Sequence, residues 1–267
     1  MRELNLDEVK KSQLEALEAI HDFCALHNLK YFLAGGTLIG AIRHKGYIPW
    51  DDDIDLYMLR DDYEAFIDAF NSCSAKYKVY SVDNCKNYRY PFAKVCDEDT
   101  VLEEDGYQTM PGKGIYVDIF PLDNAPATQA QKEELIKQEK KLHKYISYLS
   151  ISSADRGFIK NSALAGLRIL DSILGISYLG LKRNKIAKKY GDSASDEVCM
   201  VQGCAPQLEF YKRALFEKAV PVMFEGKERY VPIGYDAALR QRYGDYMKLP
   251  PEEARVSNHI FKAYAKE

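Results

Sequence analysis

The chain has 267 residues, with 37 lysines and arginines against 40 aspartates and glutamates, a formal net charge of −3 and a pI near 6.0. That slight acidic excess excludes a generic nucleic-acid binder, because such affinity comes from clustered cations neutralising phosphates. A hydrophobic content of 46% with 29% charged residues excludes a disordered chain, and the length suits one large domain with an appended helical part.

The opening MRELNLDEVKKSQ has no apolar stretch after its basic residues, so neither a secretory signal nor a signal anchor is expected, and the expected location is the cytoplasm. From Leu6 to Leu29 apolar residues recur at helical spacing, and Asn5 with Glu8 three residues later caps the start. YFLAGG reads as a short strand ending in two glycines, and TLIGAIRHKG as a helix with Thr37 as N-cap and Gly46 just past its end. In YIPWDDDIDLYMLR, Asp53, Asp55 and Tyr57 alternate with Ile54, Leu56 and Met58, the period of a strand with one acidic and one apolar face. DDYEAFIDAFNSC reads as a helix, YKVYSV and YPFAKVC as strands, and GIYVDIFPLD as a strand on which Tyr116, Asp118 and Phe120 share a face.

A proline-bearing turn at Pro121–Pro126 ends this mixed α/β half, and QAQKEELIKQEKKLHKYISYL opens a helical stretch to about Tyr190. FEKAVPVMFEGKERYVPIGY reads as a hairpin around Glu225–Gly226–Lys227, followed by a helix over about Asp236–Tyr243 and a Pro-Pro break. The six cysteines, Cys24, Cys73, Cys85, Cys96, Cys199 and Cys204, form no C-x-x-C pair and no regular framework, so buried reduced thiols are expected.

Asp51, Asp52, Asp53 and Asp55 put four carboxylates in five positions, a mutual repulsion that a bound cation relieves. On a strand Asp53 and Asp55 project from one face, where two hard oxygen ligands can share Mg2+ or Mn2+. The bland alternative is a solvated acidic turn. It loses ground because the nearby Gly35–Gly36–Thr37 turn opens a helix, whose N–H groups and dipole suit a phosphate. Asp118 lies among apolar residues, where a lone charge is costly; sharing the metal with Asp53 and Asp55, or a salt bridge to a lysine or arginine, would each resolve this. Lys94 between Ala93 and Val95 is a candidate phosphate contact, and Trp50 stays open between the core and a pocket rim.

Strand, Gly-Gly turn, helix, D-x-D strand and a later single-Asp strand together resemble the nucleotidyltransferase superfamily that includes DNA polymerase beta. The expected fold class is therefore α/β (α+β): a nucleotidyltransferase-like mixed sheet flanked by helices, with a helical subdomain. The likeness narrows further, because FLAGGTLIGAIRHKGYIPWDDDIDL resembles the signature of the LicD family. KVCDEDT, YVDIFPLD and FEGKERYVPIGYDAALRQRYGDYMKLPPEEAR extend the resemblance from about Leu29 to His259. LicD proteins are bacterial phosphocholine transferases, and their eukaryotic relatives fukutin and fukutin-related protein transfer ribitol phosphate.

The resemblance implies a catalytic core over residues 1–126, a helical subdomain over 127–200, and a C-terminal hairpin and helix over 201–267 that complete the core and substrate site. It implies transfer of phosphocholine from CDP-choline to a sugar hydroxyl of a teichoic acid or lipopolysaccharide-type precursor, with CMP leaving. Asp53, Asp55 and Asp118 would hold the metal and carry catalysis, and Gly35, Gly36 and Thr37 would hold phosphate oxygens. Arg43, His44 and Lys45 are open to the diphosphate, the acceptor or solvent. Tyr243, Asp245 and His259 match positions that recur in LicD-type sequences. Alternatives are transfer of ribitol, glycerol or ethanolamine phosphate, NMP transfer from an NTP, or a non-catalytic glycan-binding module. Partners would be the CDP-alcohol and a lipid-linked glycan, with no nucleic acid. The apolar run Phe158–Leu181, followed by Lys182, Arg183, Lys185, Lys188 and Lys189, suggests peripheral contact with the inner membrane face.

Overall fold

The computed structural model describes residues 1–88, 90–104, 111–150, 178–201, 210–256 and 261–266. A short strand β1 (Arg2–Leu4) leads into helix α1 (Leu6–His27), whose start is the expected capping box: Asn5 Oδ1 accepts from the Glu8 N–H and Glu8 from the Asn5 N–H, both at 3.0 Å. The helix stops at Asn28, whose left-handed backbone (φ 54°) turns the chain towards the sheet. Asn5→Ala is expected to lower stability by about 1 kcal/mol, read as a shift of the urea midpoint.

Strand β2 (Phe32–Leu33) and helix α2 (Gly35–Arg43) precede β3 (Asp55–Leu59), α3 (Arg60–Ala69), β4 (Tyr77–Tyr80), β5 (Ala93–Asp97), β6 (Thr100–Glu104) and β7 (Tyr116–Asn124). The main sheet runs β2-β3-β7-β5-β4. Its β3–β7 pair is parallel and the other pairs on that path are antiparallel. Ile54, Leu56 and Met58 are wholly buried with Val95, Val117 and Ile119, packed in one cluster with Leu17, Ile20 and Phe23 of α1 and Phe66 of α3. Each such side chain withdrawn from water contributes about 1.5–3 kcal/mol. The opposite face carries the row Asp55, Asp118 and Lys94 and, from Tyr57 and Phe120 onward, a second buried cluster with Phe32, Tyr211 and Phe216.

Three sequence expectations are corrected here. Thr37 is the third residue of α2 and not its N-cap, which is Ala34. The ladder of β3 begins at Asp55, so Asp53 lies in the extended approach to the strand. No turn occurs at Pro121, which lies inside β7 opposite Met58. Pairing with β5 ends at Ile119, so on that side no ladder partner requires the N–H that proline lacks.

Helix α4 (Gln129–Ser150) buries Leu135, Glu139 and Leu142, and α5 (Tyr178–Ala187) packs against it with a buried Arg183–Glu139 ion pair. Strands β8 (Glu197–Cys199) and β9 (Phe210–Lys212) continue the main sheet from the end of β7. The hairpin β10 (Ala219–Phe224) and β11 (Lys227–Pro232) turns at Glu225–Gly226, both with positive φ, and leads to α6 (Tyr235–Tyr243). Strand β12 (Phe261–Ala265) pairs with both β1 and β6 in a second, three-stranded sheet.

Most of the apolar run 158–181 lies outside the described residues. Within the basic stretch after it, Arg183 points inward to Glu139 and Lys188 pairs with Glu64. Among the described residues no helix is long and apolar enough to cross a membrane. Cys24, Cys96 and Cys199 are buried free thiols as expected, but Cys73 is exposed and Cys85 half-buried, both on loop segments around β4; Cys204 lies outside the described residues.

Candidate active site

Helix α2 begins where β2 ends, and its first residue, Gly35, has φ +52°, a conformation that suits a residue without Cβ. A Cβ there would sit 3.1 Å from Asp55 Oδ2 and 3.7 Å from the Tyr243 hydroxyl. A Cβ on Gly36 would lie 2.5 Å from Asp51 Oδ2. The glycines therefore let carboxylates of two chain segments approach the start of α2. Thr37, buried, accepts the Asp55 N–H at 2.9 Å, and the Ala34 N–H donates to the Asp55 carbonyl at 2.9 Å, so both ends of the glycine turn are tied to β3.

Asp51, Asp52 and Asp53 bring one carboxylate oxygen each to within 4.8 Å of one another. Their loop is held from behind: Gln13 of α1 donates to the Asp52 carbonyl at 2.8 Å and accepts from the Tyr47 hydroxyl at 3.0 Å. From the other side the hairpin tip clasps the turn before Tyr47. There Glu225 Oε1 accepts the Tyr47 N–H, and the Glu225 N–H donates to the Lys45 carbonyl, both at 2.9 Å.

Strand register completes the group. Asp55 stands opposite Asp118, and Asp118 opposite Lys94, giving one row across β3, β7 and β5. Burial first, then the charges of Asp53, Asp118 and Asp51, raise the Asp55 carboxyl well above the usual carboxylate range, with Lys94 opposing. Lys94, 5% exposed, places its Nζ 2.7 Å from Asp118 Oδ1 and 3.2 Å from the centre of the Tyr116 ring, with Tyr90 and Phe92 at 5.1 and 5.6 Å. Burial works against its charge, but Asp118 and the surrounding tyrosines hold its pKa above the ordinary lysine value. The salt bridge weighed from the sequence for Asp118 is thus present. All-carboxylate donors beside a helix start with no room for a side chain suit a hard divalent cation and a phosphate.

The structure brings together Asp53, Asp55, Asp118, Gly35, Gly36, Thr37, Lys94 and, through its hydroxyl, Tyr243. Arg43 points elsewhere, donating from Nη1 to the Tyr246 carbonyl at 2.6 Å and from Nε to His44 Nε2 at 2.9 Å. Burial, then Arg43, holds the His44 imidazole below its usual value, in keeping with a neutral ring accepting that bond. Trp50 is half-buried against the core, with His44 edge-on and Arg255 over its ring at 5.6 Å. Asp245 is exposed in the turn after α6, and His259 lies outside the described residues.

The sequence reading missed Gln13 and Glu225, which fix the acidic loop, and the rings around Lys94. It also missed Arg242, which donates to the Tyr57 hydroxyl at 3.5 Å two residues beyond Asp55. The alternation in YPFAKVC was a usable signal for Phe92 and Lys94 sharing a face; nothing local marked Gln13 or Glu225.

Residues 28–150 match the nucleotidyltransferase domain of the LicD/FKTN/FKRP family. The lipopolysaccharide cholinephosphotransferase LicD of Haemophilus influenzae is 33% identical over 270 residues, covering 99% of this chain and 99% of that protein. An uncharacterized protein of Rickettsia prowazekii is 35% identical over 68 residues, 22% of this chain and 26% of its own length. An uncharacterized protein of Caenorhabditis elegans is 40% identical over 60 residues, 22% of this chain and 16% of its own. With similarity to a LicD protein along 99% of both chains, on a mixed α/β fold with its carboxylates gathered at a glycine helix start, this chain belongs to the LicD family.

Proposed function

We propose that the protein transfers phosphocholine from CDP-choline to a sugar hydroxyl of a cell-surface glycan precursor and releases CMP. The observation that carries this reading is the meeting of Asp51–Asp53, Asp55 and Asp118 with the start of α2, in a chain similar from end to end to a cholinephosphotransferase. Asp53, Asp55 and Asp118 would hold Mg2+ or Mn2+, which when bound neutralises the diphosphate and the departing CMP. The opening N–H groups of α2 bind phosphate oxygens, and the missing Cβ atoms of Gly35 and Gly36 let the Asp55 and Asp51 carboxylates close on the same helix start. Asp118, one oxygen engaged by Lys94, positions the attacking hydroxyl, whose proton passes to solvent and whose oxygen is the nucleophile. A bond forms from that oxygen to the choline-bearing phosphorus, the P–O bond to CMP breaks, and CMP leaves with the electron pair. Tyr243, beside Asp55, lines the donor side. The glycan precursor is lipid-linked and is met at the inner membrane face.

The test is thermal unfolding with Mg2+ against CDP-choline, CDP-ribitol, CDP-glycerol, CDP-ethanolamine, CTP and ATP, since a ligand of the native state stabilises it by mass action. A metal-dependent rise with CDP-choline supports the reading. A rise with another CDP-alcohol, or with CTP or ATP alone, replaces the donor or the reaction, and no shift with any of them removes it. Gly36→Ala is expected to keep the fold, because alanine favours a helix over glycine. It should lower kcat/KM at least about tenfold, since displacing a positioned group by ~1 Å costs as much or more; unchanged turnover would show that the Asp51 contact is idle.

A further inference from the structure

We infer that Lys94 stands in for a second divalent cation, so that the acidic site holds one metal ion, with Asp118 bridging that ion and the Lys94 ammonium. This rests on the metal reading above. In two-metal sites a carboxylate joins two ions about 3.5–4 Å apart, one serving each oxygen of the displacement. Here Asp118 Oδ1 already holds a cation, the ammonium at 2.7 Å, delivered from the neighbouring strand at the opposed register position. The space around that ammonium is closed by ring faces: Tyr116 at 3.2 Å, Tyr90 at 5.1 Å and Phe92 at 5.6 Å. Ring faces stabilise an ammonium, which therefore keeps its place against Asp118 Oδ1 where a second ion would otherwise sit. The other side of Asp118 faces Asp55 across the β3–β7 pair, next to Asp51–Asp53, where the carboxylates gather. Lys94 is thus a positioning residue that keeps Asp118 aimed whether or not a donor is bound.

The experiment is a Mn2+ titration of the full chain, followed by loss of the free-ion electron paramagnetic resonance signal, with folding checked by circular dichroism. The wild type is expected to bind one Mn2+ per chain, as is Lys94→Arg, which keeps the charge. Lys94→Ala, which vacates the aromatic box and frees Asp118, is expected to bind two. A lysine that merely braced the fold would leave the count in Lys94→Ala at one, and that result overturns the inference, as does a count of two in the wild type. Should Lys94→Ala not fold, the wild-type and Lys94→Arg counts decide alone, with two in either overturning it. A wild type that binds no Mn2+ overturns the metal reading itself and this inference with it, an outcome distinct from a count of two.

Discussion

Asp55→Asn is expected to abolish transfer while raising the thermal midpoint of the metal-free protein. Loss of groups that merely orient metal ligands costs about 10–100-fold in affinity or activity, so loss of a ligand should reduce kcat/KM by at least about a hundredfold. The stability gain follows from charge. Asp55 is half-buried among Asp51, Asp53 and Asp118, and burial with those charges holds its carboxyl above the usual range. In the unfolded chain it ionises near ~3.9. Between that value and the higher folded one, the folded state binds more protons than the unfolded state, so stability falls as pH rises through the window. The penalty is absent below the window and complete above it. Asparagine never carries it, so at neutral pH the variant should melt higher by about 2–12 °C, taking ~1–3 kcal/mol for an uncompensated buried polar group and ~2–4 °C per kcal/mol at this size. Mg2+ should raise the wild-type midpoint and leave the variant unmoved. Wild-type turnover in Asp55→Asn would sink the metal assignment, and a lower metal-free midpoint would show that Asp55 is compensated within the protein.

Asp123→Ala should instead unfold much of the population. Asp123 is 1% exposed and accepts two bonds from Arg60, Nε to Oδ1 at 2.7 Å and Nη2 to Oδ2 at 2.9 Å. The pair fastens the first turn of α3 to the far end of β7, five residues beyond Asp118. Burial raises the Asp123 pKa in spite of Arg60, whereas Asp123 holds the Arg60 guanidinium above its ordinary value in spite of burial, so attraction and desolvation nearly offset and the pair is at most a small net source of stability. Removing one partner leaves the guanidinium buried without its counter-charge, at a cost of about 3–5 kcal/mol. Replacing both, Arg60→Leu with Asp123→Leu, should recover most of that loss. Guanidinium unfolding of the two single variants and the double variant measures the coupling directly. A single-variant loss under about 1 kcal/mol would place the pair with solvated surface bridges instead.

The elements that carry the site were legible because their patterns are local. The Asn5–Glu8 box set the start of α1, the alternation from Asp53 to Met58 set which face of β3 is apolar, and Tyr116, Asp118 and Phe120 marked the polar face of β7. Glycines before a helix and four aspartates in five positions announced a phosphate and a cation without any knowledge of the sheet. The family signature spans those same segments, which is why membership could be read before the fold.

What the chain alone could not provide was distance between segments. Strand register puts Lys94 against Asp118 and Asp118 against Asp55, and no local pattern encodes which strands become neighbours. Gln13 reads as one polar residue on a helix and Glu225 as part of a turn, yet both hold the acidic loop in place across separations of 39 and 178 residues. Strands β1, β6, β8, β9 and β12 escaped the reading because their short runs gain order from partners far along the chain, β1 and β12 pairing from opposite ends. Local sequence thus determined the chemistry available, through side-chain type and period. Only tertiary structure decided which charges share a space, because their energies depend on separation and burial that pairing alone creates.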